Sequence, residues 1–441
     1  MKKKSKQRTT PKKVSPSKKN KPDLLSIVQS QLGSFLNDLD CIQEAFRMVD
    51  PVLAEKDKSR RKEIDSLVEK LTVKDSKEGL SAERYEQITT FIAKIRRLGR
   101  GHILFRSNSL ISLVSRFDEF IGDLIRGIHK QNPDRLKNSE KNLSYEEITS
   151  LTNLSQAIDR LIDKEVDRIL RDSHVTQIKY LETQLNFEFR EKLTVWPEFV
   201  ELTERRNLLV HCGGEVSAQY IRICKTSGCK IEAGVKAGST LTVSSKYFDR
   251  CHAVLVEIGL KLGQAVLRKI FSDQLDKIDR MINNYGVELL SDGRWDLGLM
   301  VFDFLCGLPP KLISKDQIKR IFIINKAIAL KFSGKKSLSC ELLDSLDWSS
   351  CSSDFALAIE VLRDNFDAAE KIMSSMNGEE PIGEPGFKTW PLFREFRKSE
   401  QFRRAFKKIY AKEFEPREEA KKAVGELQAG TTQITPSSGA L

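Results

Sequence analysis

The chain has 441 residues, of which 40% are hydrophobic and 31% are charged, so it is long enough for two or three domains and apolar enough to bury a core. No apolar run reaches membrane-spanning length, and no apolar core follows the N-terminal lysines, so we expect a cytoplasmic protein without membrane span or secretory signal. Eight scattered cysteines with no CxxC pair fit the buried thiols of a reducing compartment better than disulfides.

The net charge of +12 arises mostly in one short segment at the start of the chain. Residues 1–22 contain ten Lys or Arg residues and no acid. We predict a disordered basic tail there, which serves either as a weak, salt-sensitive binding segment for RNA or as a solubilising leader. The rest of the chain is close to neutral, so the high pI is poor evidence for a basic face on the folded body.

From residue 23 onward, apolar residues recur every three or four positions, which predicts an all-α fold. The first domain, residues 23–272, should be a bundle of such helices. Asp50-Pro51 should end an early helical run, because a proline disfavours helical backbone in the residue before it. Residues 96–102, which contain two glycines, should break the next helix, and a broad apolar stripe predicts a further helix over residues 107–131.

The second half of this domain has recognisable helix boundaries. Ser144, followed by two glutamates, has the form of a helix N-cap. The chain after Gly213-Gly214 should be irregular to about residue 238, with at most a short strand over residues 220–224. A strong helix over residues 247–271 should close the domain.

One stretch concentrates polar side chains on a single predicted helix, residues 196–212. It reads Glu204-Arg205-Arg206-Asn207-Leu208-Leu209-Val210-His211 and is followed by Cys212-Gly213-Gly214, a typical helix stop. Asn207 and His211 are four positions apart and share a face. Arg206 and His211 are five positions apart, so they point about 140° away from each other around the helix.

These residue types can cleave RNA without a metal ion. An imidazole such as that of His211 can take the proton from a ribose 2′-hydroxyl, which then attacks the adjacent phosphate. The guanidinium of Arg206, or of Arg205 as the second candidate, can neutralise the charge that grows on the phosphate oxygens. Asn207 can orient the imidazole or bond a phosphate oxygen. The structural alternative is a solvated helix end whose histidine is satisfied by ordinary hydrogen bonds.

Zinc binding is the other chemistry to weigh in this region. Cys224 and Cys229 follow His211 and Cys212 in the chain. Their spacing does not match zinc knuckles, and no second close-set pair completes four ligands, so we predict no metal and no cofactor. The other four histidines look like isolated surface or core residues: His102, His129, His174 and His252.

The Arg-Asn-x-x-x-His form, the apolar filler, the glycine stop and the helical surroundings together resemble the HEPN superfamily. The resemblance covers roughly residues 23–271 and is specific only at Arg206-Asn207 and His211. It implies an antiparallel helical bundle, homodimerisation, and a composite active site built by both protomers. It also implies metal-independent endoribonuclease activity, which this superfamily uses in toxins, abortive infection and antiviral defence.

The resemblance also implies roles for individual residues. Arg206 and His211 would form the catalytic pair, Asn207 would support them, and an acid on an earlier helix, either Glu119 or Asp118, would lie near the site. The chain departs from a minimal HEPN bundle, because it has extra helices before Gly99 and an irregular insert after the glycine stop. Some members of the superfamily have lost activity and act as binding modules.

From residue 273 the sequence changes to helix pairs that resemble one another. The pattern of residues 284–298 returns at residues 325–339, and a looser copy follows at residues 358–369. These copies over residues 273–376 resemble tetratricopeptide repeats in degenerate form, which implies a small α-solenoid that binds a protein partner or trigger. A plain helical bundle is the alternative.

The C-terminal segments should cap the repeats and then become disordered. Residues 377–415 are predicted as a linker and a capping helix that starts near Trp390. Phe402, Phe406 and Tyr410 should face inward on that helix. Residues 416–441 are polar and predicted to be a disordered tail.

The leading functional hypothesis is a dimeric, HEPN-type endoribonuclease of stress response or antiviral defence. Its C-terminal repeats would bind a partner or trigger. One alternative is a non-catalytic protein that dimerises through the bundle and recruits a partner through the repeats. The other is an RNA-binding adaptor that uses the basic tail.

Overall fold

The computed structural model describes residues 23–74, 82–138, 142–376 and 382–415. In those ranges it has α-helices and short 3-10 turns but no strand, apart from one isolated bridge between Glu215 and Thr240. The prediction of an all-α fold is confirmed. The predicted tails, residues 1–22 and 416–441, lie outside the described residues.

The chain divides into two compact units between Ile270 and Phe271, close to the domain boundary predicted after residue 272. The first unit begins with two long helices and continues with six shorter ones. Its helices are α1 (Leu24–Lys74), α2 (Ala82–Gln131), α3 (Tyr145–Thr149), α4 (Leu154–Leu170), α5 (His174–Leu185), α6 (Trp196–His211), α7 (Ala218–Thr226) and α8 (Ser245–Ile270).

Helices α1 and α2 pack against each other as an antiparallel pair. The Phe35 ring stacks on Phe120 with centroids 4.5 Å apart, and Phe46 stacks on Phe105 at 5.6 Å, so the partner's number falls as the number on α1 rises. Helix α8 approaches this pair closely. A Cβ atom at Gly259 would collide with the Phe35 ring, so the approach requires glycine at this position.

The two predicted breaks in these long helices are wrong. Pro51 lies inside α1, and residues 96–102 lie inside α2. A proline in a helix removes one backbone hydrogen bond, and each glycine costs about 1 kcal/mol relative to alanine. Packing between α1, α2 and α8 outweighs these local penalties.

The segment after the glycine stop contains a helix, α7, where at most a short strand was predicted. Ser217 caps this helix, because its side chain accepts a hydrogen bond from the Tyr220 amide. Tyr220 and Cys224 are both buried and lie one helical turn apart, so both reach the small apolar cluster around Leu208. The chain from residue 227 to residue 244 is irregular, as predicted.

The second unit contains three consecutive helix pairs. The first pair contacts the second pair, and the second pair contacts the third. That these pairs form a tetratricopeptide-type solenoid stays a prediction. The helices are α9 (Leu275–Ser291), α10 (Trp295–Cys306), α11 (Asp316–Phe332), α12 (Lys336–Asp344), α13 (Ser353–Arg363), α14 (Phe366–Met373), α15 (Glu384–Thr389) and α16 (Glu400–Tyr410).

The capping helix starts later than predicted. Two 3-10 turns follow Trp390, and α16 begins only at Glu400, where Ser399 caps it. Phe402 and Phe406 are buried, and the half-buried Tyr410 packs on Phe406 with ring centroids 4.8 Å apart. Across the ranges that the structure covers, every helix is too short or too polar to cross a membrane.

Candidate functional site

The candidate site lies on α6, which ends at His211, one residue before the predicted end at Cys212. The amides of Cys212 and Gly214 both donate to the carbonyl of Leu208, which closes the last turn. Gly213 and Gly214 have φ values of 59° and 88°, a region that L side chains rarely adopt. A Cβ at Gly214 would also lie 2.8 Å from the carbonyl oxygen of Leu241, so the stop depends on glycine.

Arg206 is held by an ion pair that reaches across to α2. Its Nη2 donates to Asp118 Oδ2 at 2.6 Å, and only 18% of its side chain is exposed. The other oxygen of Asp118 lies 2.8 Å from His174 Nε2. A carboxylate only accepts hydrogen bonds. Asp118 therefore links His174 of α5 to Arg206 of α6. We call Asp118, His174 and Arg206 the arginine cluster.

Glu204 directly precedes Arg205 and Arg206 on α6, and the charges of the arginine cluster act on its carboxyl group. Burial raises the pKa of the Glu204 carboxyl, and the charges of His174 and Arg206 partly oppose the rise. The Nε of Arg206 is buried and has no hydrogen-bond partner among the described residues. The arginine cluster therefore fixes one end of the Arg206 guanidinium and leaves its Nε–H without a partner among the described residues.

His211 differs from every other histidine of the chain. It is exposed, and no hydrogen bond or ion pair of its side chain is found among the described residues. The others are buried and paired: His102 with Asp50 and Asp57, His129 with Tyr180, His174 with Asp118, and His252 with Asp40.

These pairings correct two expectations. The four buried histidines are not isolated, because each contacts a carboxylate or a hydroxyl. His211 is at a solvated helix end, as the structural alternative holds, and its imidazole has no hydrogen-bond partner among the described residues. A free imidazole at the surface is available to take a proton from a ligand.

Within one chain the structure does not join Arg206 to His211. The guanidinium turns inward to Asp118, whereas the imidazole stands at the helix end. Asn207 is half-buried, lies on the same helix face as His211, and makes no side-chain hydrogen bond among the described residues. Asn207 and His211 thus share one face of α6, whereas the Arg206 guanidinium is directed to Asp118.

Arg205, the second candidate cation, belongs to the core and not to the surface. Its Nε donates to Glu201 at 2.7 Å, its Nη1 donates to the Thr242 carbonyl at 3.0 Å, and its guanidinium lies 3.9 Å from the centroid of the Tyr247 ring. Glu201 also accepts hydrogen bonds from the hydroxyls of Tyr220 and Tyr247. Burial raises the pKa of Tyr247 well above its usual value, so it remains a donor. We therefore withdraw Arg205 as a site residue.

Glu119, the secondary acidic candidate, does not reach Arg206. It pairs with Arg116 at 2.7 Å on the same helix, and 57% of its side chain is exposed. Asp118, which the sequence left open as the alternative, takes the position beside the guanidinium. Asp118 and Glu119 are adjacent, and one position rotates a side chain about 100° around a helix. For this reason Asp118 reaches Arg206 and Glu119 does not.

The structure does not bring the cysteines near His211 together as a set of zinc ligands. Cys224 is buried, Cys229 donates its thiol hydrogen to the Pro197 carbonyl, and Cys212 is exposed. Across the residues with described positions, no group of three or more His, Cys, Asp or Glu side chains is placed to hold a metal ion.

Comparisons of the chain with protein-family models, with curated protein sequences and with solved structures gave no match.

His174 was not predicted, and Asp118 was predicted only as one of two acids, with Glu119, that the resemblance implied near the site. One local signal pointed to Asp118: it directly follows Phe117, at the edge of the apolar stripe of α2, where a charge needs a partner. No local signal identified His174 as that partner, since 56 positions separate the two residues.

Proposed function

We propose that this protein is a metal-independent endoribonuclease of the HEPN type and that His211 and Arg206 are its catalytic pair. The observation that carries the proposal is the exposed His211 imidazole, which lacks a partner among the described residues. His211 lies five positions after Arg206, whose guanidinium is held by the Asp118 carboxylate. An imidazole in water is suited to proton transfer near neutral pH.

In the proposed reaction, His211 takes the proton of a ribose 2′-hydroxyl. The 2′-oxygen then attacks the adjacent phosphorus, the bond from phosphorus to the 5′-oxygen breaks, and the leaving 5′-oxygen takes a proton from water while His211 returns its proton to the solvent. The products are a 2′,3′-cyclic phosphate and a 5′-hydroxyl end. Arg206 stabilises the negative charge on the phosphate oxygens, and Asn207 bonds the phosphate or orients the imidazole.

A second copy of the chain completes the proposed site. Because Arg206 and His211 of one chain point apart, the imidazole of one protomer and the guanidinium of its partner would face the same phosphate across a two-fold axis. Val210, next to His211, leaves 46% of its side chain exposed, and an apolar side chain at this place suits a contact between copies.

The test compares wild type with His211→Ala on total RNA in the presence of EDTA. We expect wild type to leave 2′,3′-cyclic phosphate ends and His211→Ala to lose at least about 100-fold in rate, the usual contribution of a general base. Cys212→Ala is the matched control, because Cys212 is an exposed neighbour with no proposed role, and it should cleave like wild type.

The alternative is a non-catalytic dimerisation and interaction module. The observation in its favour is that Arg206 is mostly buried and paired with Asp118, as a purely structural arginine would be. Equal RNA integrity with wild type, His211→Ala and buffer, for a protein that is folded and dimeric, would support this module and reject the nuclease. An adaptor that holds RNA through residues 1–22 would lose RNA retention when those residues are deleted.

The biological setting follows from the resemblance and from the second unit. We infer a cytoplasmic role in stress response or antiviral defence, with a protein partner or trigger bound by the helix pairs of residues 273–376. Growth arrest on expression of wild type, relieved by His211→Ala, is the expected outcome. Unchanged growth with an active enzyme would point to a silent state that the partner controls.

A further inference from the structure

A cavity of about 460 Å³ lies within the second unit. Its size falls in the range of pockets that bind small molecules. Helices α11 and α13 and the segment from Ile382 to Trp390 surround it. Most of its lining is apolar and comes from Ile321, Ile324, Phe355, Ala358, Ile382 and Pro385.

One charged side chain lines this cavity, the carboxylate of Asp354 in the first turn of α13. A carboxylate in a first helical turn is favourable and usually remains in water. Here its Oδ1 atom is buried and has no hydrogen-bond partner among the described residues. A buried acceptor without a donor is unfavourable unless something supplies the donor.

An aromatic wall stands in the same cavity. Trp390 is half-buried, and its Nε1 donates to Asn325 Oδ1 at 3.2 Å. Asn325 is buried and donates in turn to Asn283 at 2.9 Å. These bonds fix the indole ring at the edge of the cavity, and an indole face attracts cations more strongly than the other aromatic rings.

A second cavity, in the first unit, differs in the state of its charged groups. It measures about 430 Å³ and is lined by Glu198, Glu201, Arg205 and Arg250, among others. Those four side chains pair with one another as Glu198 with Arg250 and Glu201 with Arg205. Those four charges are therefore satisfied within the protein, whereas the Oδ1 atom of Asp354 has no partner among the described residues.

We propose that the cavity between α11, α13 and Trp390 binds a small hydrophobic organic cation, an amine with an apolar body. The ammonium group pairs with the half-buried Asp354 carboxylate and lies against the Trp390 ring, and the apolar body fills the space between Ile324, Phe355 and Ile382. This site is independent of the proposed nuclease site, and it gives the second unit a small-molecule ligand.

The test uses the full-length protein and two probes of nearly the same shape, 4-phenylbutylammonium and neutral 4-phenylbutan-1-ol, measured by calorimetry. We expect wild type to bind the ammonium roughly 10- to 100-fold more tightly than the alcohol, the usual contribution of a charged hydrogen bond. Asp354→Asn should reduce ammonium affinity to that of the alcohol and leave alcohol affinity unchanged.

Two controls keep the result interpretable. Asp347→Asn removes one negative charge at an exposed position that does not line the cavity, and it should bind both probes like wild type. The melting temperature of ligand-free Asp354→Asn should equal or exceed that of wild type, because an uncompensated charge has been removed. A clearly lower melting temperature would mean that Asp354 supports the fold.

Three results would overturn the proposal. Equal binding of the two probes would remove the role of charge, and unchanged ammonium affinity in Asp354→Asn would remove the role of this carboxylate. Binding of an acetylated and amidated Leu-Arg-Leu peptide, without binding of the free amine, would show that the cavity serves a protein partner.

Discussion

Asp50 is a buried, paired acid of the first unit, and its charge makes stability depend on pH. It accepts hydrogen bonds from Arg106 at 2.6 Å, from Ser245 at 2.7 Å and from His102 at 2.8 Å. Burial alone would raise the pKa of this carboxyl, but the three donors, Arg106 foremost, lower the pKa to about 2. The charged form of Asp50 therefore stabilises the folded state.

The sign of the pH effect follows from the lowered pKa. Stability from Asp50 is present above the ordinary pKa of an aspartate, near pH 4, and is lost as the pH falls to about 2. We expect Asp50→Asn to lose about 2 kcal/mol of unfolding free energy at pH 7 and almost none near pH 2. Urea unfolding at the two pH values measures the difference.

The control for this prediction lies on the same helix. Asp65 is exposed and has no ion pair among the described residues, so Asp65→Asn should match wild type at both pH values. A loss in Asp50→Asn that is equally large at pH 2 and pH 7 would contradict the assigned role of its charge.

The residues of the candidate site were predictable only where the signal is local. His211, Asn207 and Arg206 fall within one and a half helical turns, so spacing alone groups them. Asp118 lies 88 positions from Arg206, and only the resemblance, which left Glu119 as the alternative, suggested that an acid of α2 lies near it. Arg205 and Arg206 are adjacent residues of the same type. They differ in orientation on α6, so Arg205 forms a core ion pair with Glu201 and Arg206 pairs with Asp118.

At the scale of helices, the close approach of α8 to α1 allows a paired test of packing. Gly259→Ala should lose about 1–3 kcal/mol of stability, because its Cβ would meet the Phe35 ring. Gly33→Ala should gain about 0.5–1 kcal/mol, because Gly33 lies within α1 and a Cβ there has no atom of a neighbour within 4 Å. Thermal unfolding of both variants measures the two shifts.

The two substitutions add the same methyl group to a helical glycine, so each serves as the control for the other. Equal stability changes would mean that helix propensity dominates and that α8 does not touch α1 in solution. Opposite signs would support the packing.

Most helices were predictable, and their ends often were not. Apolar periodicity marks α4, α6, α8 and the helix pairs, because each buries one face. The periodicity is silent about whether a proline or glycine ends a helix, since that depends on contacts from distant parts of the chain. Pro51 continues α1 next to Asp50, which α2 and α8 hold through Arg106 and Ser245. Helix α7 was missed because its nine residues span too few turns for the apolar pattern to show.

At the scale of the whole molecule, the proposed site predicts that two inactive variants restore activity when combined. In a dimer of Arg206→Ala with His211→Ala, one site has lost both groups and the other retains both. Equal mixing with exchange of subunits gives half mixed dimers, each with one of two sites, so about a quarter of wild-type cleavage should return.

The measurement is RNA cleavage before and after the two purified variants are mixed and allowed to exchange. A mixture of Arg206→Ala with itself or His211→Ala with itself is the control and should stay inactive. Absence of recovery in a mixture shown to contain mixed dimers would place both groups in one chain, and a strict monomer would remove the composite site altogether.

The pairing of the four buried histidines has a practical consequence for chemical labelling. Reagents that acylate imidazole act on accessible rings, and His211 is the exposed ring among the five of this chain. A single carbethoxy group added by diethyl pyrocarbonate would therefore mark the proposed site without any substitution. Protection of that one position by RNA, or by a second subunit, would report occupancy of the helix end in the unaltered protein.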